Sequence, residues 1–167
     1  TIAVPNQPFY PIAWAGTPLS GTALDYVNYP STEAKSGLTL VEIAIRNGLG
    51  EYWQGGAFNP APAFRAVSTT TADPASWTYP PSNPAGDTLP GWNDNESYTV
   101  DLRATDKTGN VENLVTYVFT FDSFAPTTTV STPLDQSYAT AFTLSSGTYS
   151  SVPATIAQIL IAVRNPL

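Results

Sequence analysis

The chain has 167 residues, of which 42% are hydrophobic and only 11% charged, and its net charge is −7 at pH 7. Cys, His and Met are absent, which excludes disulfides, catalytic triads that use His or Cys, and zinc sites built from these residues. The six Lys and Arg residues are scattered, which argues against nucleic acid as a partner, and no apolar run approaches the roughly 20 residues of a membrane-spanning helix.

Three segments alternate apolar and polar residues with a period of two, which predicts half-buried β-strands. They are VEIAIR at 41–46, SYTVDLRAT at 97–105 and VTYVFTFD at 115–122. In the second segment we expect Tyr98 and Leu102 to face the core and Asp101 to face solvent. No window shows the apolar spacing of a long amphipathic helix, so the sequence predicts an all-β fold.

A hairpin turn is predicted between the second and third of these strands. The sequence there is DKTGN, residues 106–110. Asp106 is placed to accept hydrogen bonds from nearby backbone amides, and Gly109 is free to adopt the left-handed conformation that such a turn needs.

The sequence repeats itself near its C-terminus. Residues 159–167 (ILIAVRNPL) repeat residues 41–49 (VEIAIRNGL), residues 127–133 (TTTVSTP) align with residues 1–7 (TIAVPNQ), and residues 144–148 (LSSGT) resemble residues 19–22 (LSGT). These matches predict a complete unit at 1–124 and, at 125–167, the first third of a second unit, with about three strands. The segment FTFDSFAP at 119–126 is then a short, stiff connection between units.

The order of these motifs resembles a known family. LSGTALD, VEIAIRN, EYWQGGAF, SYTVDLRATDKTGN and FTFDSFAPTTTV follow one another as in the tandem bacterial immunoglobulin-like repeats of large extracellular surface proteins. The resemblance spans nearly all of residues 1–130 and then restarts. It implies an immunoglobulin-like antiparallel β-sandwich of roughly seven strands in two sheets, with Tyr98 anchoring the corner before its strand.

The carboxylates offer a candidate calcium site. Four of them lie in predicted loops or at strand ends: Asp25, Asp106, Asp122 and Asp135. Ca²⁺ takes roughly six to eight oxygen ligands, which loop carboxylates and carbonyls at a domain junction are able to supply. The alternative, which we favour, is that these acids form turns without a metal. No other cofactor is expected.

The aromatic residues offer a candidate glycan-binding site, because exposed aromatic rings stack on sugar rings. The candidates in the loop-rich middle of the chain are Tyr52, Trp53, Trp77, Tyr79 and Trp92. The alternative, which we again favour, is that Trp53 closes the core and that the other rings pack under the proline-rich loops.

Taken together, the sequence predicts a non-catalytic structural or adhesive repeat module of an extracellular or cell-surface protein or filament. The expected partners are neighbouring repeats of the same chain or other copies, and cell-surface glycans. Because residues 127–167 hold too few strands to close a sandwich, we expect either a longer chain or completion by strands of a neighbouring copy. The alternative function is a carbohydrate-binding or linker module of a secreted glycan-degrading enzyme.

Overall fold

The structure, a computed structural model, describes residues 1–25, 35–71, 74–80, 86–133, 144–152 and 154–164. Within these residues it has a 3₁₀ turn at Ile12–Trp14, no α-helix, and the predicted all-β fold is confirmed. The strands, in chain order, are β1 (Ile2–Val4), β2 (Phe9–Tyr10), β3 (Leu19–Ala23), β4 (Leu38–Arg46), β5 (Tyr52–Trp53), β6 (Phe58–Asn59), β7 (Arg65–Ala66), β8 (Ser68–Thr69), β9 (Ala75–Tyr79), β10 (Glu96–Asp106), β11 (Val115–Phe121), β12 (Thr127–Thr132) and β13 (Ser146–Ser150).

The first sheet joins β1, β3, β9 and β8 in that order, and every pair is antiparallel. Alternate residues of β3 and β9 are buried, as expected for strands with one covered face. In the middle of β3, the carbonyl oxygen of Thr1 and the indole ring of Trp77 occupy the space that a Cβ at Gly21 would need. Only glycine therefore fits at this position.

The second sheet has the order β2, β11, β10, β4, β5 and β6, and β7 also pairs with β4. Its centre is the antiparallel pair of β4 and β10, in which Ile43 lies opposite Leu102 and Ile45 lies opposite Val100. β2 pairs with β11 in parallel, whereas β1 belongs to the first sheet. The N-terminal segment therefore contributes one short strand to each sheet.

Side chains from both sheets form a single hydrophobic core. An aromatic cluster extends this core at one end, where the Trp92 ring lies edge-on to Tyr98 and Phe119 at centroid distances of 4.8 and 5.3 Å. Trp14, in the 3₁₀ turn, lies edge-on to Phe119 at 5.2 Å. Because edge-on aromatic pairs are favourable, these contacts hold the 3₁₀ turn and the loop before β10 against the core.

Asp101 is buried although it lies on the outer face of β10, where the alternation places it. Its exposed fraction is only 5%, although the sequence pattern places it on the solvent side. Its carboxylate accepts hydrogen bonds from Nε and Nη2 of Arg46 at 3.1 and 2.8 Å, and from Oγ1 of Thr116 at 2.6 Å. The outer-face placement is right, but the expected contact with solvent is wrong, because Arg46 of β4 and Thr116 of β11 supply these donors on the outer face.

The turn predicted at residues 106–110 is confirmed. Asp106 Oδ1 accepts hydrogen bonds from the backbone N–H groups of Thr108 and Asn110 at 2.8 and 2.9 Å. Gly109 has a φ of 91°, in the left-handed region that favours glycine. These bonds make the carboxylate of Asp106 part of the turn itself.

The β12–β13 hairpin has the same register as the β1–β3 pair. Ile2 lies opposite Gly21 and Val4 opposite Ser20, while Val130 lies opposite Gly147 and Thr132 opposite Ser146. Each pair of strands also has a register shift at the same place, between the two residue pairs named above.

The side chains of the two strand pairs agree as well. The hydroxyls of Thr1 and Thr22 lie 2.7 Å apart, and those of Thr129 and Thr148 lie 2.8 Å apart. In each pair, the carbonyl oxygen of the first threonine occupies the space beside the strand's glycine. A glycine that admits this close approach sets the register of both.

These contacts correct the alignment of the first strands by two residues. The sequence comparison aligns Thr127 with Thr1, whereas the hydroxyl pairs and the glycine contacts match Thr129 with Thr1. The sequence alignment is ambiguous here because residues 127–129 are three consecutive threonines.

Tyr98, at the start of β10, holds the preceding corner. Its hydroxyl accepts a hydrogen bond from the backbone N–H of Asn93 at 2.8 Å and donates one to Oε2 of Glu96 at 2.9 Å. Its ring is fully buried, and burial raises the pKa of the hydroxyl well above its usual range. The hydroxyl therefore stays protonated and keeps both bonds near neutral pH.

We expect Tyr98→Phe to lower the free energy of unfolding by about 1–2 kcal/mol, because it removes both hydrogen bonds from the corner. The measurement is urea unfolding followed by tryptophan fluorescence. Tyr117→Phe is the matched control, since the half-buried Tyr117 hydroxyl makes no hydrogen bond within the described residues. Equal effects of the two substitutions would show that the corner bonds contribute nothing.

Candidate functional site

The segment that repeats β4, residues 159–164, is exposed, and we call it the open segment. Ile161 and Val163 have exposed fractions of 70% and 85%, whereas Ile43 and Ile45, at the matching places in β4, have 0% and 1%. Within the described residues the open segment pairs with no strand. The same sequence is thus a buried central strand in one place and an unpaired apolar segment in the other.

The open segment lies beside the β12–β13 hairpin, and the two enclose a groove of about 360 Å³. Its apolar lining comes from Val130, Tyr149 and residues 159–162. Val130 and Tyr149 are themselves 71% and 61% exposed. Contiguous exposed apolar side chains are typical of an interaction surface, so this groove is the strongest candidate site in the described part of the chain.

Three of the candidate calcium ligands lie within the described residues, and they fall at two ends of the sandwich. Asp25 and Asp106 line the same depression, whereas Asp122 follows β11 at the other end. Oδ2 of Asp25 already accepts hydrogen bonds from Ser36 and from the backbone N–H of Gly37, at 3.1 and 2.6 Å. Hydrogen bonds within the turn hold the pKa of Asp106 well below its usual range, which keeps this carboxylate ionised.

Asp122 has a buried oxygen, Oδ1, that accepts no hydrogen bond from the described residues. Asp135 lies outside the described residues. In the part of the chain that the structure describes, no three acidic side chains come together as a metal site would require.

The aromatic candidates of the first sheet are buried. Trp77 and Tyr79, on β9, have exposed fractions of 1% and 0%. Nε1 of Trp77 donates a hydrogen bond to the carbonyl oxygen of Thr1 at 3.2 Å. Neither ring has a free face on which a sugar could stack.

Of the aromatic candidates in the second sheet and its loops, Trp53 is buried, whereas Tyr52 and Trp92 are half-buried. Trp53 is 6% exposed, and its Nε1 donates to the carbonyl oxygen of Thr88 at 2.8 Å. Trp92 is half-buried in the aromatic cluster and donates to the carbonyl oxygen of Ala15 at 3.1 Å. Tyr52 is half-buried beside the guanidinium of Arg46, 5.9 Å from its ring centre. The five rings therefore do not form one exposed platform.

A charged cluster ties the loop before β10 to the sandwich. Asp87 accepts hydrogen bonds from Nε and Nη2 of Arg65 and from the Tyr79 hydroxyl, the last at 3.2 Å. Gly55 lies so close to Asp87 that a side chain there would strike the carboxylate. The Arg65 guanidinium holds the pKa of Asp87 below its usual value, and burial raises the pKa of Tyr79 above its usual range. These groups form a structural clamp.

Sequence reasoning anticipated unpaired strands within residues 127–167 but did not identify the open segment as the exposed one, and it missed the ion pairs of Arg46 and Arg65. The pairs join residues far apart in sequence, so no local pattern indicates them. The repetition of VEIAIRN was the available signal for the open segment, because a repeated central strand needs neighbours of its own.

Comparison with protein families, with curated proteins and with solved structures finds no match to this chain. Among the described residues, no helix has the length and apolar character needed to cross a membrane.

We expect Asp87→Asn to lower the free energy of unfolding at pH 7 by about 1–3 kcal/mol. The loss should fall toward the lower value, because Arg65 is partly exposed and water screens its charge. The pKa of Asp87 is lowered in the folded state from 3.8. Its carboxylate therefore stabilises the fold above that value, and the contribution is lost as the pH falls through the folded-state pKa. Urea unfolding at pH 7 and pH 3 measures this difference.

Glu112→Gln is the control, because the Glu112 side chain is exposed and makes no hydrogen bond within the described residues. The difference in free energy of unfolding between Asp87→Asn and the unsubstituted protein should be smaller at pH 3 than at pH 7. The free energy of unfolding of Glu112→Gln should stay close to that of the unsubstituted protein at both pH values. A difference that is constant with pH would contradict the role assigned to the carboxylate.

Proposed function

We propose that this protein is a non-catalytic structural module of an extracellular surface protein or filament, built from immunoglobulin-like β-sandwich repeats. Residues 1–124 are one unit and residues 125–167 begin a second. The units have a mechanical role: they extend the protein away from the surface and connect to one another. Their partners are other repeats or other copies of the chain. The main support is that both the register of an antiparallel strand pair and the sequence of a core strand are repeated.

The order of the strands supports the immunoglobulin-like part of the proposal. Such sandwiches place strands A, B, E and D in one sheet and C, F and G in the other. The order β1, β3, β9, β8 corresponds to A, B, E, D, and the order β4, β10, β11 corresponds to C, F, G. The Tyr98 corner lies at the start of the strand that corresponds to F, where this fold places such a tyrosine.

The second hairpin and the open segment support the repeat part of the proposal. β12, β13 and residues 159–164 correspond in sequence and order to β1, β3 and β4. In the complete unit, β3 pairs with β9 and β4 pairs with β10. The second unit has no such pairings within the described residues, so its apolar groove is the place where further strands add.

The acidic, cysteine-free and methionine-free composition suits an extracellular location, where oxidisable side chains are a liability. A carbohydrate-binding module is less well supported, because Trp77 and Tyr79 are enclosed in the core and Trp53 is nearly so. Catalysis is also less well supported, because Asp87 and Asp101 are held in ion pairs and Asp106 in a turn.

We expect the chain to gain a second cooperative unit when a copy of residues 50–124 is appended after Leu167. This extension supplies the second copies of β5 to β11 in their natural order. Differential scanning calorimetry should show added unfolding enthalpy, and small-angle scattering should show an elongated monomer. The same extension carrying Ile161→Asp and Val163→Asp should not fold as a second unit, because charges would enter its core.

An appended segment that stays unfolded would contradict the repeat assignment. Retention of the unmodified protein on insoluble polysaccharide, abolished by Tyr52→Ala, would instead favour the carbohydrate-binding alternative.

A further inference from the structure

The neighbours of β4 indicate what the open segment binds. In the complete unit, Ile43 lies opposite Leu102 and Ile45 opposite Val100, and none of these side chains is more than 1% exposed. Ile161 and Val163 occupy the places of Ile43 and Ile45 in the repeated sequence. Their exposure shows that the described residues provide no counterpart of β10 for them.

Arg164, which matches Arg46 in the repeated sequence, indicates the charge of the strand that would lie beside the open segment. Arg46 binds the buried carboxylate of Asp101, and Arg65 and Arg103 also form ion pairs. Arg164 takes the place of Arg46 in the repeated sequence, is exposed, and forms no ion pair with any described residue. A strand laid beside the open segment would bring its own carboxylate to this cation.

We propose that residues 159–164 bind an added antiparallel β-strand of the β10 type, in which an aspartate pairs with Arg164. Apolar residues of that strand lie opposite Ile161 and Val163, and the aspartate lies opposite Ala162, as Asp101 lies opposite Ala44. The inference rests on the proposed function, because it uses the correspondence between the two copies of the sequence.

The charge pair makes the surface selective. Asp101 is 5% exposed, so an aspartate in its place loses most of its contact with water and needs Arg164 to compensate. A strand with a lysine or arginine there would place two like charges side by side and be rejected.

Leu160 distinguishes the added strand from β10 itself. In β4 the corresponding residue is Glu42, which accepts a hydrogen bond from Nε of Arg103 at 2.8 Å. Leu160 cannot accept this bond, and an arginine opposite it gains nothing. A strand with an apolar residue in the place of Arg103 should therefore bind more tightly than the β10 sequence, by about threefold.

The first probe is a fluorescein-labelled peptide with the sequence of Glu96–Asp106, titrated with the whole protein and followed by anisotropy. We expect saturable one-to-one binding. Arg164→Glu should weaken it by about tenfold or more, and a peptide carrying Asp101→Arg should regain affinity for that variant. Lys107→Glu, at an exposed lysine outside the groove, is the matched control and should bind as the unsubstituted protein does.

The second probe is the β10–β11 hairpin of residues 96–121, which needs less ordering on binding than a single strand. Absence of binding by both probes, or equal binding to Arg164→Glu, would overturn the proposal. Dimers of the protein that the peptide dissociates would support it. Dimers that resist the peptide would overturn it, since a second copy would then cover the groove in another way.

Failure here and failure of the proposed function are distinguishable. If the chain extended with residues 50–124 folds as a second unit while neither probe binds, the structural role stands and the binding of a separate strand is rejected.

Discussion

β4 lies in the interior of the second sheet, and the other strands of the sandwich cover its apolar side chains. Val41, Ile43, Ala44 and Ile45 are all at most 1% exposed, so this strand is enclosed on its core face and flanked at both edges. β10 supplies one edge, β5 and β7 the other, and the first sheet contributes the opposite half of the core. Burying such side chains contributes about 25 cal/mol per Å² of apolar surface, which a lone strand cannot obtain.

Ion pairs help to hold the strands around β4 in place. The protein has few cations, and three of its arginines form such pairs. Arg46 and Arg103 both join β4 to β10, through Asp101 and Glu42, and Arg65 joins β7 to the loop before β10. If Arg46 were removed, the buried carboxylate of Asp101 would be left without a compensating charge. Arg46 and the carboxylate beside it therefore depend on each other. Arg164 has the place of Arg46 in the repeated sequence, and the proposed strand would supply the carboxylate beside it.

The period-two pattern predicted β4, β10 and β11, because each is long and has one covered face. The turn at Asp106 and Gly109 was predictable from its own residues. The short strands β5 to β8 were not, since two-residue strands carry no period and are formed by what they contact. The burial of Asp101 on the outer face was not predicted, because it depends on donors from Arg46 and Thr116, which are remote in sequence. The sequence indicated the candidate site only indirectly, through the repetition of the β4 sequence at residues 159–164. Only the structure shows that the side chains of this segment are exposed.

Hydrogen–deuterium exchange of the dilute, monomeric protein shows whether the two copies of the β4 sequence differ in protection, by comparing the backbone amides of residues 41–46 with those of residues 159–164. We expect slow exchange in the first segment, limited by unfolding of the sandwich, and fast exchange in the second, which has a similar sequence but no neighbouring strand among the described residues. Equally slow exchange in both segments of the monomer would contradict this expectation, because the second copy would then already be covered within a single chain.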